Sequence, residues 1–282
     1  MAKLILSAFA DEYSRDVNEQ IEVLNSLGYH YLEPRFIADK NVADLTEAEA
    51  YDLRARLDAA NIRVYSVGSP LGKINLADDF SAHLALAENC FRVANILGAT
   101  RVRMFSFYLP DGKTRDECFD GVVERINALL DLADKYGLTL CHENEARIFG
   151  ESPDDCKRLF DATGARLRAV FDMGNFVLDK YDPVAAYDLL CDYVDYFHIK
   201  DALYERAIVP AGLGEAMIGK ILKAHLEKGK DTVITLEPHL ESFDGLNKLV
   251  GSSFKNPYVF ESPKHAFLAG ADHLKKVIEA IE

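Results

Sequence analysis

The sequence predicts a (β/α)8 TIM barrel formed by residues 1–282 as a single domain, on three observations. Short β-rich runs alternate with longer amphipathic stretches, eight such runs can be counted, and their starts recur at intervals of roughly 25 to 40 residues, the spacing of successive βαβ units. A chain of 282 residues without a composition shift suits one barrel. An open doubly wound sheet would carry a G-x-G-x-x-G turn after its first strand; neither that turn nor a Walker-type loop is present.

The elements follow in order. "KLILSAF" reads as a strand, and from Ser14 onward Val17, Ile21, Leu24 and Leu27 have helical spacing that ends at Gly28. "YHYLEPR" is the next strand, and Thr46 with Glu49 forms a capping box for the helix carrying Leu53 and Leu57. Strand "RVYSVGS" precedes a helix from about Phe80 to Leu97, and "RVRMFSF" precedes one from about Arg115 to Lys135. Gly98 and Gly137 release these two helices into the next strands. "LTLCHE", "LRAVFDMGN", "DYFHIKD" and "TVITLEPHL" complete the strand set, while Ser152-Pro153, Asp182-Pro183 and Ser262-Pro263 each place a cap before a first-turn proline. The segment 241–261 after the last strand reads as a loop insertion, either a lid or partner surface or a plain decoration.

Composition narrows the function. A net charge of −14 argues against a phosphate-backbone binder and hence against nucleic acid as a partner, and favours a small polar ligand. The five cysteines are scattered with no C-x-x-C pair, so a reducing, cytoplasmic setting is expected rather than a disulfide framework or a zinc knuckle. The apolar run in "MAKLILSAFADEYS" is too short for a signal peptide and no later run spans a bilayer, so no membrane association is expected.

The chemistry should sit where the strands end and the βα loops converge. The last four strands end in Glu143, Asp172, His198 and Glu237, three carboxylates and an imidazole that suit one divalent ion such as Mn²⁺, Mg²⁺, Co²⁺ or Zn²⁺. Alternation along a strand supports the grouping. Thr139, Cys141, Val170, Tyr196, Val233 and Thr235 share parity with the four candidates and form a small or polar set. Leu138, Leu140, Ala169, Phe171, Phe197, Ile199, Ile234 and Leu236 have the opposite parity, as a helix-packing face should. By the same rule His142 faces the helices as a structural histidine, and Glu145, beyond the strand, is a loop acid.

At these residues the sequence resembles the xylose-isomerase-like TIM barrels, the sugar phosphate isomerases and epimerases. "HENEA", "FDMGNF", "YFHIKD", "VPAGLGE" and "TLEPHL" carry the resemblance, with support from "YLEPRFIADKNVADLT", "SVGSPLGKI" and "RVRMFSFY". It implies that Glu143, Asp172, His198 and Glu237 hold the metal and that Glu143 and Glu237 double as proton carriers. The implied reaction removes a proton beside the carbonyl of a ketose, sugar phosphate or related hydroxy-keto compound through a metal-stabilised enediolate. Return of the proton to the opposite face would give an epimerase, return to the neighbouring carbon an isomerase, and loss of a hydroxyl an inosose-type dehydratase.

Further substrate contacts are expected from Glu33, Asn175, Lys200, Arg206 and His239. Glu33 could instead pair with Arg35, and Lys200 and Arg206 could be ordinary loop cations. Asn175 stands where sugar-epimerase relatives commonly carry histidine, and "VPAGLGE" replaces a more acidic loop, so substrate identity stays open. An abasic-site endonuclease of the same fold would need extra histidines that these positions lack. A non-catalytic metal- or sugar-binding barrel is the other alternative. The expected partner is a small carbohydrate, and a homo-oligomer is compatible with the sequence.

Overall fold

The computed structural model describes residues 2–241 and 257–281. Eight short parallel strands form the ring: β1 (Leu4–Ala8), β2 (Tyr31–Leu32), β3 (Arg63–Val64 and Ser66–Val67, either side of Tyr65), β4 (Arg101–Met104), β5 (Thr139–Glu143), β6 (Arg168–Asp172), β7 (Val194–Ile199) and β8 (Thr232–Leu236). One continuous sheet runs β1–β8–β7–β6–β5–β4 and ends on the second half of β3. The ring is completed by β2. It pairs with the first half of β3 through Tyr31–Arg63 and Leu32–Val64, and the Glu33 N–H donates to the Ala8 carbonyl at 3.1 Å.

Between the strands lie α1 (Val17–Leu27), α2 (Glu47–Ala59), α3 (Phe80–Leu97), α4 (Arg115–Lys135), α5 (Pro153–Ala162), α6 (Met173–Leu178), α7 (Pro183–Leu190), α8 (Ile218–Leu226) and α9 (Pro263–Glu279). The Thr46–Glu49 capping box forms with both of its bonds, and Thr114 with Glu117 makes a second one that heads α4. Ser152, Asp182 and Ser262 each accept first-turn N–H groups ahead of their prolines.

Several boundaries differ from the sequence reading. The cap of α1 is Asp16, which accepts from Asn18 and Glu19; Ser14 instead braces Asp16. Strand β2 keeps only two residues because Pro34 and the turn after it leave the ladder, with the Gly68 N–H donating to the Pro34 carbonyl at 2.9 Å. "LRAVFDMGN" is not strand throughout. It stops at Asp172, whose carboxylate accepts the Asn175 N–H at 2.8 Å and so starts α6 immediately. Two small antiparallel ribbons, Phe36–Ile37 with Lys40–Asn41 and Asp201–Leu203 with Ala207–Val209, were not foreseen. Most of the 241–261 insertion, residues 242–256, lies outside the described residues.

Alternation along the strands sorts the core in two. Leu138, Leu140, Ala169, Phe171, Phe197, Ile199, Ile234 and Leu236 join the large cluster shared with the helices. Cys141, Val170, Tyr196 and Val233 form a separate small cluster with Ile5 and Tyr65, the apolar plug inside the ring. Directly beyond that plug the inward positions become polar.

Candidate metal centre

Two residues beyond the plug on β5, β6 and β7, and four beyond it on β8, Glu143, Asp172, His198 and Glu237 offer ligand atoms that all lie within 4.8 Å of one another, and all four are buried. His198 Nδ1 is 3.3 Å from Glu143 Oε1 and 3.5 Å from Glu237 Oε2. Neither that nitrogen nor Glu237 Oε2 has a hydrogen-bond partner among the described residues, an expensive arrangement for buried polar atoms unless something else satisfies them. The neighbourhood is also short of positive charge. Among the described residues, the arginine and lysine ion pairs of Asp11, Glu12, Glu143, Asp172 and Glu237 are made with Arg35, Arg103 and Lys200, three cations to five carboxylates, and Glu33 adds a sixth acid. Converging oxygen and nitrogen donors with excess negative charge fit a divalent cation.

Each glutamate has one oxygen fixed by an arginine. Arg103 Nη1 donates to Glu143 Oε2 at 2.8 Å, and Arg35 Nη1 donates to Glu237 Oε1 at 2.9 Å. The other oxygen of each carboxylate is thereby aimed at His198 and the shared centre. Both guanidinium groups lie near the ring of Phe9, at 4.4 Å for Arg35 and 5.3 Å for Arg103, and the same ring meets His198 edge-on at 4.9 Å. A Cβ at position 68 would come within 2.5 Å of Phe9 Cε1, which explains Gly68 there.

Below the quartet, Glu33 is enclosed. It accepts from Tyr196 Oη at 2.8 Å and Thr235 Oγ1 at 2.7 Å, and both of its oxygens are 3.3 Å from His198 Nε2. Its contacts are therefore with the side of His198 that faces away from the quartet, and it does not pair with Arg35, which goes to Asp11, Glu12 and Glu237. Lys200 Nζ bonds Asp172 Oδ2 at 3.0 Å and Asn175 Oδ1 at 2.9 Å and is 3.5 Å from Glu237 Oε2. Asn175 also donates to the Asn144 carbonyl at 2.9 Å and to Glu143 Oε1 at 3.4 Å. His239 lies 3.4 Å from the arginine-bound oxygen of Glu237 and 3.3 Å from Glu12. Glu12, Glu237 and His239 thus make a second close trio, but Arg35 is already seated on it.

Arg206 stands apart. It occupies the turn of the Asp201–Val209 ribbon and lines a neighbouring cavity. Asp201 carries no chemistry: its carboxylate accepts N–H groups from Ala202, Gly212, Gly214 and Ala216 at 2.7–3.0 Å and folds the "VPAGLGE" loop. His142 faces the helices, bonded to Ser106 Oγ at 2.9 Å and edge-on to Phe160; burial lowers it to about 4. Glu145 pairs with Lys73 at 3.2 Å.

Charges within the centre split the groups. Burial works against ionised Glu143, but His198 and Arg103 outweigh it and hold the carboxyl well below its usual range. Burial likewise opposes ionised Glu237, and Lys200 leads the groups that bring it down to about 2. Asp172 goes up to about 7, chiefly through burial, with Lys200 opposing. His198 is lowered by burial but raised more by Glu33 and Glu143, to about 10, so cation binding would displace a proton from it.

Sequence reasoning missed Arg35, Arg103, Phe9 and Asn144. Asn144, next to Glu143, clasps the end of β6: its Nδ2 donates to the Asp172 carbonyl at 2.8 Å and its Oδ1 accepts the Asp172 N–H at 3.0 Å. Arg103 had a readable signal, since Arg101 and Arg103 put two cations on one face of an otherwise apolar strand.

The comparisons agree with this architecture. The family model described as "Xylose isomerase-like TIM barrel" matches residues 21–277. A search of curated proteins finds no match. Among solved structures, an IOLI protein with a bound zinc atom superposes with a TM-score of 0.76 at 15% identity, covering 99% of each chain. A D-psicose 3-epimerase with D-tagatose from Clostridium cellulolyticum gives 0.74 at 14% identity, covering 98% of this chain and 99% of its own. The probable 3-DHS dehydratase AsbF from Bacillus anthracis gives 0.70 at 14%, with 98% and 99% covered. At such identities the structural likenesses establish the fold alone. With the family model spanning most of its length, the chain belongs to the xylose isomerase-like TIM barrel family.

Proposed function

We propose that this protein is a divalent-metal-dependent isomerase or epimerase of a small ketose or related hydroxy-keto compound. The observation that carries the reading is the convergence of Glu143, Asp172, His198 and Glu237 within 4.8 Å, with His198 Nδ1 and Glu237 Oε2 buried and unbonded at its centre. These four residues would hold the cation. When bound, it supplies a Lewis acid for a carbonyl oxygen and an adjacent hydroxyl.

The proton chemistry belongs to the chain. Glu143 on β5 and Glu237, one residue past β8, stand on either side of Asp172 and His198 in strand order, and we assign them to the two sides of a bound substrate. Each has one oxygen held by an arginine, which aims its second oxygen inward. One takes the proton from the carbon beside the carbonyl. The other, once it has taken a proton from solvent, can deliver it to the opposite face while the first returns its own to solvent, which favours epimerisation over a one-base isomerisation. Lys200, 3.0 Å from Asp172 and 3.5 Å from Glu237, places a fixed positive charge beside the oxygen that gains negative charge. Glu33 holds Nε2 of His198 and so fixes which nitrogen faces the centre.

A solved neighbour with zinc and another with magnesium support a metal centre in this fold, and an epimerase and a dehydratase among the neighbours span the reaction types weighed here. Protein purified without chelator should carry about one divalent ion per chain, and His198→Ala should lose it. A ketose panel in deuterated water should show deuterium beside the carbonyl, with product stereochemistry separating epimerase from isomerase and loss of water marking a dehydratase. Metal-free wild type from metal-replete medium, or no exchange with any ketose, would overturn the proposal.

A further inference from the structure

The loop that leaves β3 is built to hold one lysine on the face of the barrel where the strands end. Pro70 to Lys73 is a tight turn in which the Lys73 N–H donates to the Pro70 carbonyl at 3.0 Å and Gly72 takes a φ of 85°. A side chain at position 72 is excluded twice, by that φ and because its Cβ would run into the Phe105 carbonyl oxygen. The turn is laced to the end of β4. The N–H groups of Phe105, Phe107 and Tyr108 donate to the carbonyls of Leu71, Gly72 and Ile74 at 2.7–3.0 Å, and the Gly72 N–H donates to Nε2 of buried His83 at 2.8 Å.

Direct contacts tie this lysine to the centre. Its Nζ lies 4.1 Å from the middle of the Phe105 ring, and the Arg103 guanidinium, which holds Glu143 Oε2 at 2.8 Å, lies 4.7 Å from the same ring. Lys73 Nζ also donates at 3.2 Å to Oε2 of Glu145, two residues beyond Glu143. The pair thus bridges the loops after β3 and β5 across the end of β4, which lies between those strands in the sheet. Each of the two side chains is only 17% exposed. An ammonium has three donors, and among the described residues Glu145 is its one acceptor; Arg103, on the same ring, has a buried Nε with none. Mostly buried donors in excess of their acceptors call for oxygen atoms from outside the chain.

We propose that Lys73 and Glu145, with Arg103 beside them, form a second handle for the ligand and set its specificity by reading a hydroxyl beyond the two carbons whose oxygens meet the metal quartet. The inference rests on the ketose reading of the quartet and adds residues to it. A hydroxyl both donates and accepts, and the pair offers the matching combination, an ammonium donor beside a carboxylate acceptor. Glu145 Oε1 accepts the Ala146 N–H at 3.0 Å, which fixes the carboxylate to its loop, so both partners stand in place before a ligand arrives. Chelation needs only a carbonyl and a neighbouring hydroxyl, which every ketose has. A fixed donor and acceptor on the β3 to β5 side can tell one ketose from another, because a ligand without the right hydroxyl leaves them unmatched.

The test is calorimetric titration of the metal-loaded protein with dihydroxyacetone, D-fructose and D-tagatose, repeated on Lys73→Met. All three ketoses are uncharged; the first carries only the chelating end, and the other two differ in configuration at C4. At least one of the longer ketoses should bind about tenfold more tightly than dihydroxyacetone, and Lys73→Met should cut that advantage to about twofold with its metal content unaltered. A pair that merely clasped two loops would lower the thermal midpoint of the variant and leave the affinity ratio where it was. Equal affinities in the wild type, or an advantage that survives in Lys73→Met, would overturn the handle. Should Lys73→Met fail to fold, Glu145→Gln reads the same ratio with the same expectation. Solvent-deuterium exchange is followed on the same ketoses. Exchange with a ratio untouched by the variant removes the handle and leaves the isomerase reading; a ratio lost in the variant without exchange on any ketose does the reverse. Binding of none of the three overturns both.

Discussion

The two halves of the barrel divide the work. The half from β5 to β8 supplies every member of the quartet, each within one residue of a strand end. The half from β1 to β4 supplies what holds the quartet: Phe9 after β1, Glu33 and Arg35 after β2, and Arg103 on β4. The ligand half carries a concentration of negative charge that could not be buried alone, and the supporting half returns part of the compensation as two arginines. Reactivity and its tolerance thus come from opposite sides of the ring.

Removing chemistry from the ligand half should give the largest effect. Glu143→Gln and Glu237→Gln each keep a coordinating oxygen but lose the proton carrier. We expect solvent-deuterium exchange to fall on the order of 10²–10⁴-fold in either variant, measured by mass spectrometry on a turning-over ketose. A strong loss in one variant and a mild loss in the other would point to a single base and to isomerisation.

In the supporting half, the largest effect should come from Arg103→Ala. It leaves Glu143 Oε2 buried without its 2.8 Å partner, and breaking a buried pair from one side costs about 3–5 kcal/mol. Denaturant unfolding of metal-free protein measures this directly, and the double variant Arg103→Met/Glu143→Gln should recover much of the loss. An unchanged midpoint in Arg103→Ala would break the division of labour drawn above.

The two halves were also unequally legible in the sequence. Strands β5 to β8 are five or six residues long, so alternation could be counted and Cys141, Val170, Tyr196 and Val233 separated from their outward neighbours. Strands β2 and β3 are broken into two-residue pieces, and parity means nothing there. Glu33 could therefore be suspected only as an inward acid. Its three partners, Tyr196, His198 and Thr235, lie more than 160 residues away, and no local pattern encodes them. Phe9 and Arg35 look like any apolar residue and any surface cation until the ring closes and stacks them. Asn144 was hidden for another reason: its role is to bind the backbone of β6, a contact that depends on strand order rather than on residue type.

Glu33→Gln tests whether that hidden layer matters for function. Losing the carboxylate behind Nε2 should weaken metal affinity about 10–100-fold, since such partners fix the orientation and basicity of a ligating histidine. Competition against a metal-sensitive dye reads the change. Stability is a poor readout here, because Gln can still bond Tyr196 and Thr235. Wild-type affinity in the variant would reduce Glu33 to packing.

The smallest effect is confined to acid and contrasts two histidines on opposite faces of the wall. In the metal-free protein His198 is raised to about 10, so its contribution to stability is complete below the ordinary value of 6.5 and fades only as pH rises through 10. His142 is depressed to about 4 by burial, so the unfolded chain takes up its proton first as pH falls below 6.5, and stability declines until the folded form titrates near 4. Thermal unfolding midpoints should accordingly fall more steeply between pH 6.5 and 4 in wild type than in His142→Gln. Parallel curves would mean that the imidazole titrates normally and that the helix side of β5 is wetter than its contacts with Ser106 and Phe160 imply.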